Sequence, residues 1–541
     1  MTAASLLRSP PFPGVPVAVV AVSVADVPVD PATLDDAHVE AVLRSVREAR
    51  VGATFWEVPT AFRATTVVCV DRAGEPADLP ADAVRLTGKR SRPVDPWSML
   101  APGMTLIAHG DDEWAAIGEL AGASVRIVAP GRFGQVGEDA AGRRRRIAAH
   151  LLGCRYRDPF TGDECGIEAA VALLALWRDQ IDANHGIAAA AGMAWWKRAA
   201  IRRFLWAPRA APLRFLSGPA AIRHAARTGG AVAIWPSRVS AATLAEAARR
   251  GVELVEVEDG FVRSVGLGAN LVPPQSVAVD RLGIHYDPAR PSELERLIEA
   301  GDFPPALLAR AAALRTRLVA GGIGKYGGAQ AAVPLPPRSG RRLVLVPGQV
   351  EDDRSVLLGG GCVAGNLDLL RRVRAAEPDA AIWYRPHPDV DAGHRRGGTS
   401  DADALLHADR VVRGGGMAAL LARVDAVHVL TSLTGFEALL RGRDVTCHGV
   451  PFFAGWGLTR DLAPVPARRT RRASLDELVA ATLIRYPRYL DPVTFLPCPV
   501  EVLVARIEEV AVRRPGAIVR LRRLQGRLAR RRRLSMGRAA V

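Results

Sequence analysis

The segment Ala426-Val-His-Val-Leu-Thr-Ser-Leu-Thr-Gly-Phe-Glu-Ala-Leu-Leu-Arg441 runs from a short apolar stretch through hydroxyl residues and a glycine into a helical pattern. A strand that passes directly into a helix is the repeating unit of a parallel sheet covered by helices. Outward from it the same alternation recurs. The stretches 231–235, 252–257, 343–346, 381–384 and 426–430 read as strands, and 241–250, 293–300, 367–376 and 435–441 as helices. The Pro/Gly-rich segment 321–340 divides this region into two halves of similar size, which predicts two Rossmann-like lobes facing a cleft.

With 541 residues the chain exceeds what one hydrophobic core supports. Its two ends of the folded region resemble each other: Ala148-Ala-His-Leu-Leu-Gly-Cys-Arg-Tyr-Arg-Asp-Pro-Phe-Thr161 is similar, with one gap, to Ala480-Ala-Thr-Leu-Ile-Arg-Tyr-Pro-Arg-Tyr-Leu-Asp-Pro-Val-Thr494. The expected organisation is therefore a truncated N-terminal module over 1–160, a first lobe over 165–330, a second lobe over 340–500 and a basic tail over 510–541. The tail has no acidic residue, and its arginines alternate with Val519, Leu521, Leu524, Leu528 and Leu534.

Net charge is +16, which calls for an acidic partner. A basic amphipathic tail suits the anionic surface of a membrane. Nucleic acid is not expected, because no aromatic-interleaved basic surface accompanies the charge. The apolar run 15–24 is short of the roughly 20 residues of a membrane span and has no signal-peptide frame, so it reads as a strand. Six dispersed cysteines lack metal or redox spacing and read as buried free thiols of a cytoplasmic protein.

Four motifs follow predicted strands, where α/β proteins bind ligands. Glu258-Asp-Gly-Phe-Val-Arg263 places two adjacent carboxylates at a strand end, one for proton transfer and one to hold a neighbouring arginine. Gln349-Val-Glu-Asp-Asp353 offers a carboxylate as nucleophile or a Mg²⁺ site. Arg385-Pro-His-Pro388 presents His387 rigidly between prolines, in reach of a phosphate. Ser432 and Thr434 stand at a helix start suited to phosphate, and Glu437 is placed to accept from ribose hydroxyls.

Together with Gly192-Met-Ala-Trp-Trp-Lys-Arg198, Arg281-Leu-Gly-Ile-His-Tyr-Asp287 and Pro451-Phe-Phe-Ala-Gly-Trp-Gly457, these motifs resemble the capsular polysaccharide biosynthesis and export proteins of KpsC/LipA type. That family comprises retaining β-Kdo glycosyltransferases that use CMP-Kdo. The resemblance covers about 165–500 and implies a GT-B-like pair of lobes, preceded here by the shortened α/β remnant. It implies Asp353 as nucleophile with Asp352 as its rival, Glu258 as acid/base, and Arg385, His387, Ser432, Thr434, Glu437 and Gln349 around the nucleotide. Arg263 and Arg354 become partners for the sugar carboxylate. No metal or cofactor is implied beyond the CMP-sugar donor. The implied partners are a glycolipid acceptor, the anionic inner face of the cytoplasmic membrane and a capsule synthesis and export complex. Residues 1–160 lack the motifs, so one linkage is expected here, or a partner supplies the other. A non-catalytic export scaffold that binds the acceptor glycolipid is the alternative.

Overall fold

The computed structural model describes residues 5–16, 22–60, 64–70, 78–86, 94–209, 211–263, 272–325, 340–391, 393, 395 and 397–510. The basic tail beyond 510 and the segment 326–339 lie outside the described residues. The chain forms two compact units: Met1–Ile187 with Leu205–Leu213 and Val493–Cys498, and Ala188–Phe204 with Arg214–Pro492 and Pro499–Val541.

In the first unit the strands are β1 (Ser23–Asp26), β2 (Thr66–Val68), β3 (Val84–Arg85), β4 (Thr105–His109), β5 (Ser124–Ala129), β6 (Cys154–Arg157) and β7 (Glu164–Cys165). Of the strand predicted over 15–24 only 23–24 fall in β1; residues 17–21 lie outside the described set. β2 to β5 form a parallel sheet in the order β3-β2-β4-β5, while β1, β6 and β7 pair antiparallel. The sheet's core is aliphatic, with Val67, Val68, Leu106 and Ile107 buried.

The second unit holds the predicted second lobe and most of the predicted first, whose residues 165–187 and 205–213 belong to the first unit. The first lobe contains β8 (Ile187–Ala191), β9 (Arg214–Leu216), β10 (Ala231–Ile234), β11 (Leu254–Asp259) and β12 (Ser276–Asp280). The second contains β13 (Leu343–Pro347), β14 (Ala381–Arg385), β15 (Arg410–Val411), β16 (Ala426–Val429), β17 (Asp444–Cys447) and β18 (Arg460–Asp461). The chain then returns to the first lobe through β19 (Pro487–Leu490), which pairs antiparallel with β12.

The second lobe's sheet is parallel throughout, in the order β15-β14-β13-β16-β17-β18. That is the 3-2-1-4-5-6 order of a Rossmann fold, with the topological switch between β13 and β16. In the first lobe the order is β19-β12-β11-β10-β8-β9. The architecture is a GT-B-like pair of Rossmann-like lobes. Strands buried on both faces explain the continuous apolar runs: all five residues of β13 and all four of β16 are buried.

The two similar segments adopt the same local structure. Each runs from a helical turn into a strand, β6 or β19. In each a tyrosine hydroxyl donates to a helix carbonyl, Tyr156 to Leu151 (2.7 Å) and Tyr489 to Leu483 (2.6 Å). The order β3-β2-β4-β5 also repeats the run β14-β13-β16-β17 of the second lobe. All six cysteines are free, but the expectation of burial holds for Cys154, Cys447 and Cys498 only; Cys362 is exposed and Cys69 and Cys165 are half-buried. Among the described residues no helix is long and apolar enough to cross a membrane.

Candidate active site

Three of the four motifs leave the carboxyl ends of β13, β14 and β16, which lie side by side around the switch point. Gln349 spans the gap between two of them. Its Nε2 donates to Thr431 Oγ1 (2.9 Å), and its Oε1 accepts from the Thr431 N–H (2.9 Å). Both ends of the amide are thereby used, so Gln349, expected near the nucleotide, here braces the β13 and β16 loops.

Asp353 is exposed and caps the helix Arg354–Gly359: Oδ1 accepts from the Ser355 N–H (3.0 Å) and hydroxyl (2.8 Å). Asp352, its neighbour, turns to Arg395 (3.1 Å). His387 accepts from the Asp389 N–H at Nδ1 (3.1 Å), which leaves the ring proton on Nε2 in the neutral form. Burial lowers its pKa against the pull of Asp389 and Asp353, so the neutral form prevails at pH 7. His387 therefore offers an Nε2–H donor in the neighbourhood of Asp353. Arg385 donates to the carbonyls of Gly414 and Gly415, and so holds the 414–415 turn beside the strand end.

At the start of the helix Thr434–Leu439, the Ser432 and Thr434 hydroxyls contact each other (3.1 Å), and Ser432 Oγ accepts from the Thr434 N–H (3.3 Å). The helix has six residues, so its dipole is small and the hydroxyls carry what anion affinity the turn has. Glu437 departs from expectation: its Oε1 accepts from the Lys325 backbone N–H (3.0 Å). Gly324 packs so closely that a Cβ there would lie 2.6 Å from the same oxygen. Glu437 thus fastens the end of the first lobe to the second, and ribose recognition is not its use of that oxygen.

Across the cleft, β11 ends in Glu258 and Asp259, which do face different partners. Asp259 receives Lys197 Nζ (3.0 Å) and Arg263 Nε (2.9 Å). Lys197 in turn lies 3.4 Å from the ring centroid of Trp235. Although burial opposes it, Lys197, Arg263 and Lys325 together hold the Asp259 carboxyl below its usual range. Arg263, expected as a partner for the sugar carboxylate, is wholly buried here, where it donates to the Val272 carbonyl (2.9 Å) and is paired with Asp259.

Among the described residues no cation is paired with Glu258 at contact distance. Burial and the charge of Asp259 push its carboxyl up to about 7. The Tyr286 hydroxyl donates to Glu258 Oε2 (3.4 Å). Burial raises the Tyr286 phenol, Glu258 and Glu256 raise it further, and Arg354 and Asp353 act on it from the second lobe. Tyr286 therefore touches Glu258 directly and also feels the charge of Asp353.

Behind the site, Phe261, His285, Phe436, Phe452 and Tyr486 form an aromatic cluster, with Phe261 4.7 Å from both His285 and Phe452. Phe261, His285, Phe436 and Phe452 come from four of the quoted motifs, so part of each of those four is packing core. Lys197, Tyr286 and Lys325 escaped the residue-by-residue reading. The first two sit inside quoted stretches; Lys325 lies within the Pro/Gly-rich segment, which reads as a linker and gives no signal to single it out. Among the described residues no group of three or more His, Cys, Asp or Glu is placed to hold a metal ion.

The profile of the family described as capsule polysaccharide biosynthesis protein matches residues 230–317 and 304–489. The capsule polysaccharide modification protein LipA of Neisseria meningitidis serogroup B is 40% identical over 347 residues, 64% of this chain and 49% of LipA. The lipopolysaccharide-processing protein LpsZ of Rhizobium meliloti is 48% identical over 247 residues, 45% of this chain and 56% of LpsZ. The chain thus spans about half the length of the curated relatives it matches. A solved structure of Thermosulfurimonas dismutans KpsC, β-Kdo 2,4 transferase, is 29% identical with a TM-score of 0.52, covering 60% of this chain and 99% of that one. With the motif geometry, these likenesses establish that the chain belongs to the capsule polysaccharide biosynthesis proteins of KpsC/LipA type.

Proposed function

We propose that the chain is a glycosyltransferase that moves Kdo from CMP-Kdo to a lipid-linked acceptor, with retention of configuration, in capsule polysaccharide synthesis. The observation that carries this is an exposed carboxylate, Asp353, whose charge reaches Tyr286, together with a carboxyl raised to about 7, Glu258, that accepts from the same Tyr286 hydroxyl. Two carboxyl groups of different character on opposite sides of a sugar are the equipment of double displacement. Asp353 attacks the anomeric carbon as CMP departs, Glu258 giving its proton to the leaving phosphate. The acceptor hydroxyl then attacks the same carbon, its proton passing to Glu258 as the bond to Asp353 breaks. The test is mass spectrometry of a synthetic glycolipid incubated with the protein and CMP-Kdo: a product heavier by one Kdo is expected, and a scaffold that only binds acceptor yields none.

His387 supplies the Nε2–H for the CMP phosphate in this scheme. His387→Ala is expected to weaken CMP binding by about 1–3 kcal/mol, read by calorimetry with CMP alone. Unchanged affinity would remove His387 from the nucleotide site.

On the same reading, residues 1–160 are the remnant of a nucleotide-binding lobe. The repeated sheet order supports it, but Asp111-Asp-Glu113 follows β4 where the second lobe has its hydroxyl turn after β16. Carboxylates there repel phosphate, so no CMP site is expected. The basic tail holds the enzyme at anionic membrane. Deleting 513–541 should leave transfer to a short soluble acceptor intact and lower transfer to acceptor in anionic vesicles, an effect that salt mimics as it shortens screening below about 10 Å. Equal vesicle binding with and without the tail would place the membrane contact elsewhere.

A further inference from the structure

The first lobe and the helix Arg354–Gly359 enclose a pocket that none of the donor-side roles uses. Leu244, Leu282 and Leu358 line it, 38%, 41% and 37% exposed, together with Glu256, Arg290 and Arg354. Two of its polar groups are left wanting. Glu256 is buried, and its Oε1 accepts from Arg290 (2.6 Å), but Oε2 has no hydrogen-bond partner among the described residues. Arg354 Nε is likewise buried without a partner among them. An unmet acceptor and an unmet donor in one pocket are a structural expense that a bound ligand relieves.

The ligand must offer a donor and an acceptor close together, and apolar surface for the leucines. A pyranose does both, with hydroxyls at its rim and C–H groups on its faces. Arg290 is paired with Glu256 and Asp287 and Arg281 with Glu253, whereas the Arg354 guanidinium has no carboxylate partner among the described residues, so the balance favours a sugar that is itself an anion. The location fits too. Glu256 and Glu258 lie on the same face of β11, one strand repeat or about 6.6 Å apart. Glu256 and Arg354 also act on the Tyr286 phenol that donates to Glu258.

We propose that this pocket is the subsite for the terminal residue of the acceptor, an acidic sugar, with Arg354 Nε donating to its carboxylate or a ring oxygen and Glu256 Oε2 accepting from a hydroxyl. The inference rests on the glycosyl-transfer reading for its purpose: a sugar held here presents a hydroxyl to Glu258, which takes the proton as the new glycosidic bond forms.

The variants Leu244→Trp and Leu282→Trp fill the pocket from exposed positions, and Glu256→Gln halves the acceptor capacity of its carboxyl. All three are expected to raise the KM for acceptor by about tenfold or more, while CMP release from CMP-Kdo in water without acceptor stays within about twofold of the unmodified chain. An unchanged acceptor KM in the two tryptophan variants, with melting temperature preserved, overturns the assignment. A second measurement is independent of turnover: saturation-transfer NMR with the methyl glycoside of Kdo. Binding that is present in the unmodified chain and lost in Leu244→Trp supports the pocket even if CMP-Kdo is never turned over, the result that instead sinks the donor reading. No binding, or binding that Leu244→Trp leaves intact, refutes the pocket.

Discussion

Asp353→Asn is expected to abolish sugar transfer, by at least about 10³-fold, and to leave CMP affinity and the melting temperature close to those of the unmodified chain. Asparagine is the informative substitution because Asp353 does two things. Its Oδ1 caps the helix Arg354–Gly359 through Ser355, a role that asparagine performs equally well. Asparagine cannot act as the carboxylate nucleophile. Asp353→Ala removes both, so it should lose the same activity and in addition about 1 kcal/mol of stability. Mass spectrometry of the glycolipid product and thermal unfolding of the two variants read the separate roles. If Asp353→Asn transfers at the normal rate, the nucleophile is Asp352 or no covalent intermediate forms. Asp352 begins from a weaker position, since its carboxylate is engaged by Arg395 (3.1 Å).

The expected elements and the site were legible to different depths. The strands and helices of the second unit follow from local pattern: helices 241–250 and 293–300 stand where periodicity puts them, each capped by a serine, Ser240 or Ser292, and closed by a left-handed glycine, Gly251 or Gly301. The sheet order is a matter of which strands pair across tens of residues, and no local signal encodes it. Motif residues are harder still, because a polar side chain after a strand reads the same whether it meets a ligand or the protein. Arg263, Gln349 and Glu437 looked like ligand contacts by residue type, yet their partners Asp259, Thr431 and Lys325 are in place already. Conversely Lys197 is 62 residues from Asp259, and only the folded chain brings the pair together.

Glu258→Gln is the second substitution with a large expected effect, roughly 10²–10⁴-fold on transfer, and its pH dependence separates a proton carrier from a structural carboxyl. Burial and Asp259 put the Glu258 pKa at about 7, above its ordinary 4.5. The first step needs Glu258 protonated, so kcat/KM for CMP-Kdo should fall as pH rises through about 7. The second step needs it ionised, so kcat/KM for acceptor should rise over the same range. Both limbs should vanish in the glutamine variant. Stability moves by linkage. The folded chain keeps the Glu258 proton between pH 4.5 and about 7 while the unfolded chain loses it, so stability from this group is full below 4.5 and declines as pH rises through that window. Glutamine carries no charge to desolvate and its amide oxygen can still accept from the Asp259 N–H (3.0 Å in the parent). Glu258→Gln should therefore melt no lower than the parent at pH 5 and higher at pH 8, while remaining inactive at both. A variant that melts lower at pH 8 would mean that the ionised carboxylate is held by compensating contacts, and the tuned-acid role for Glu258 would be lost.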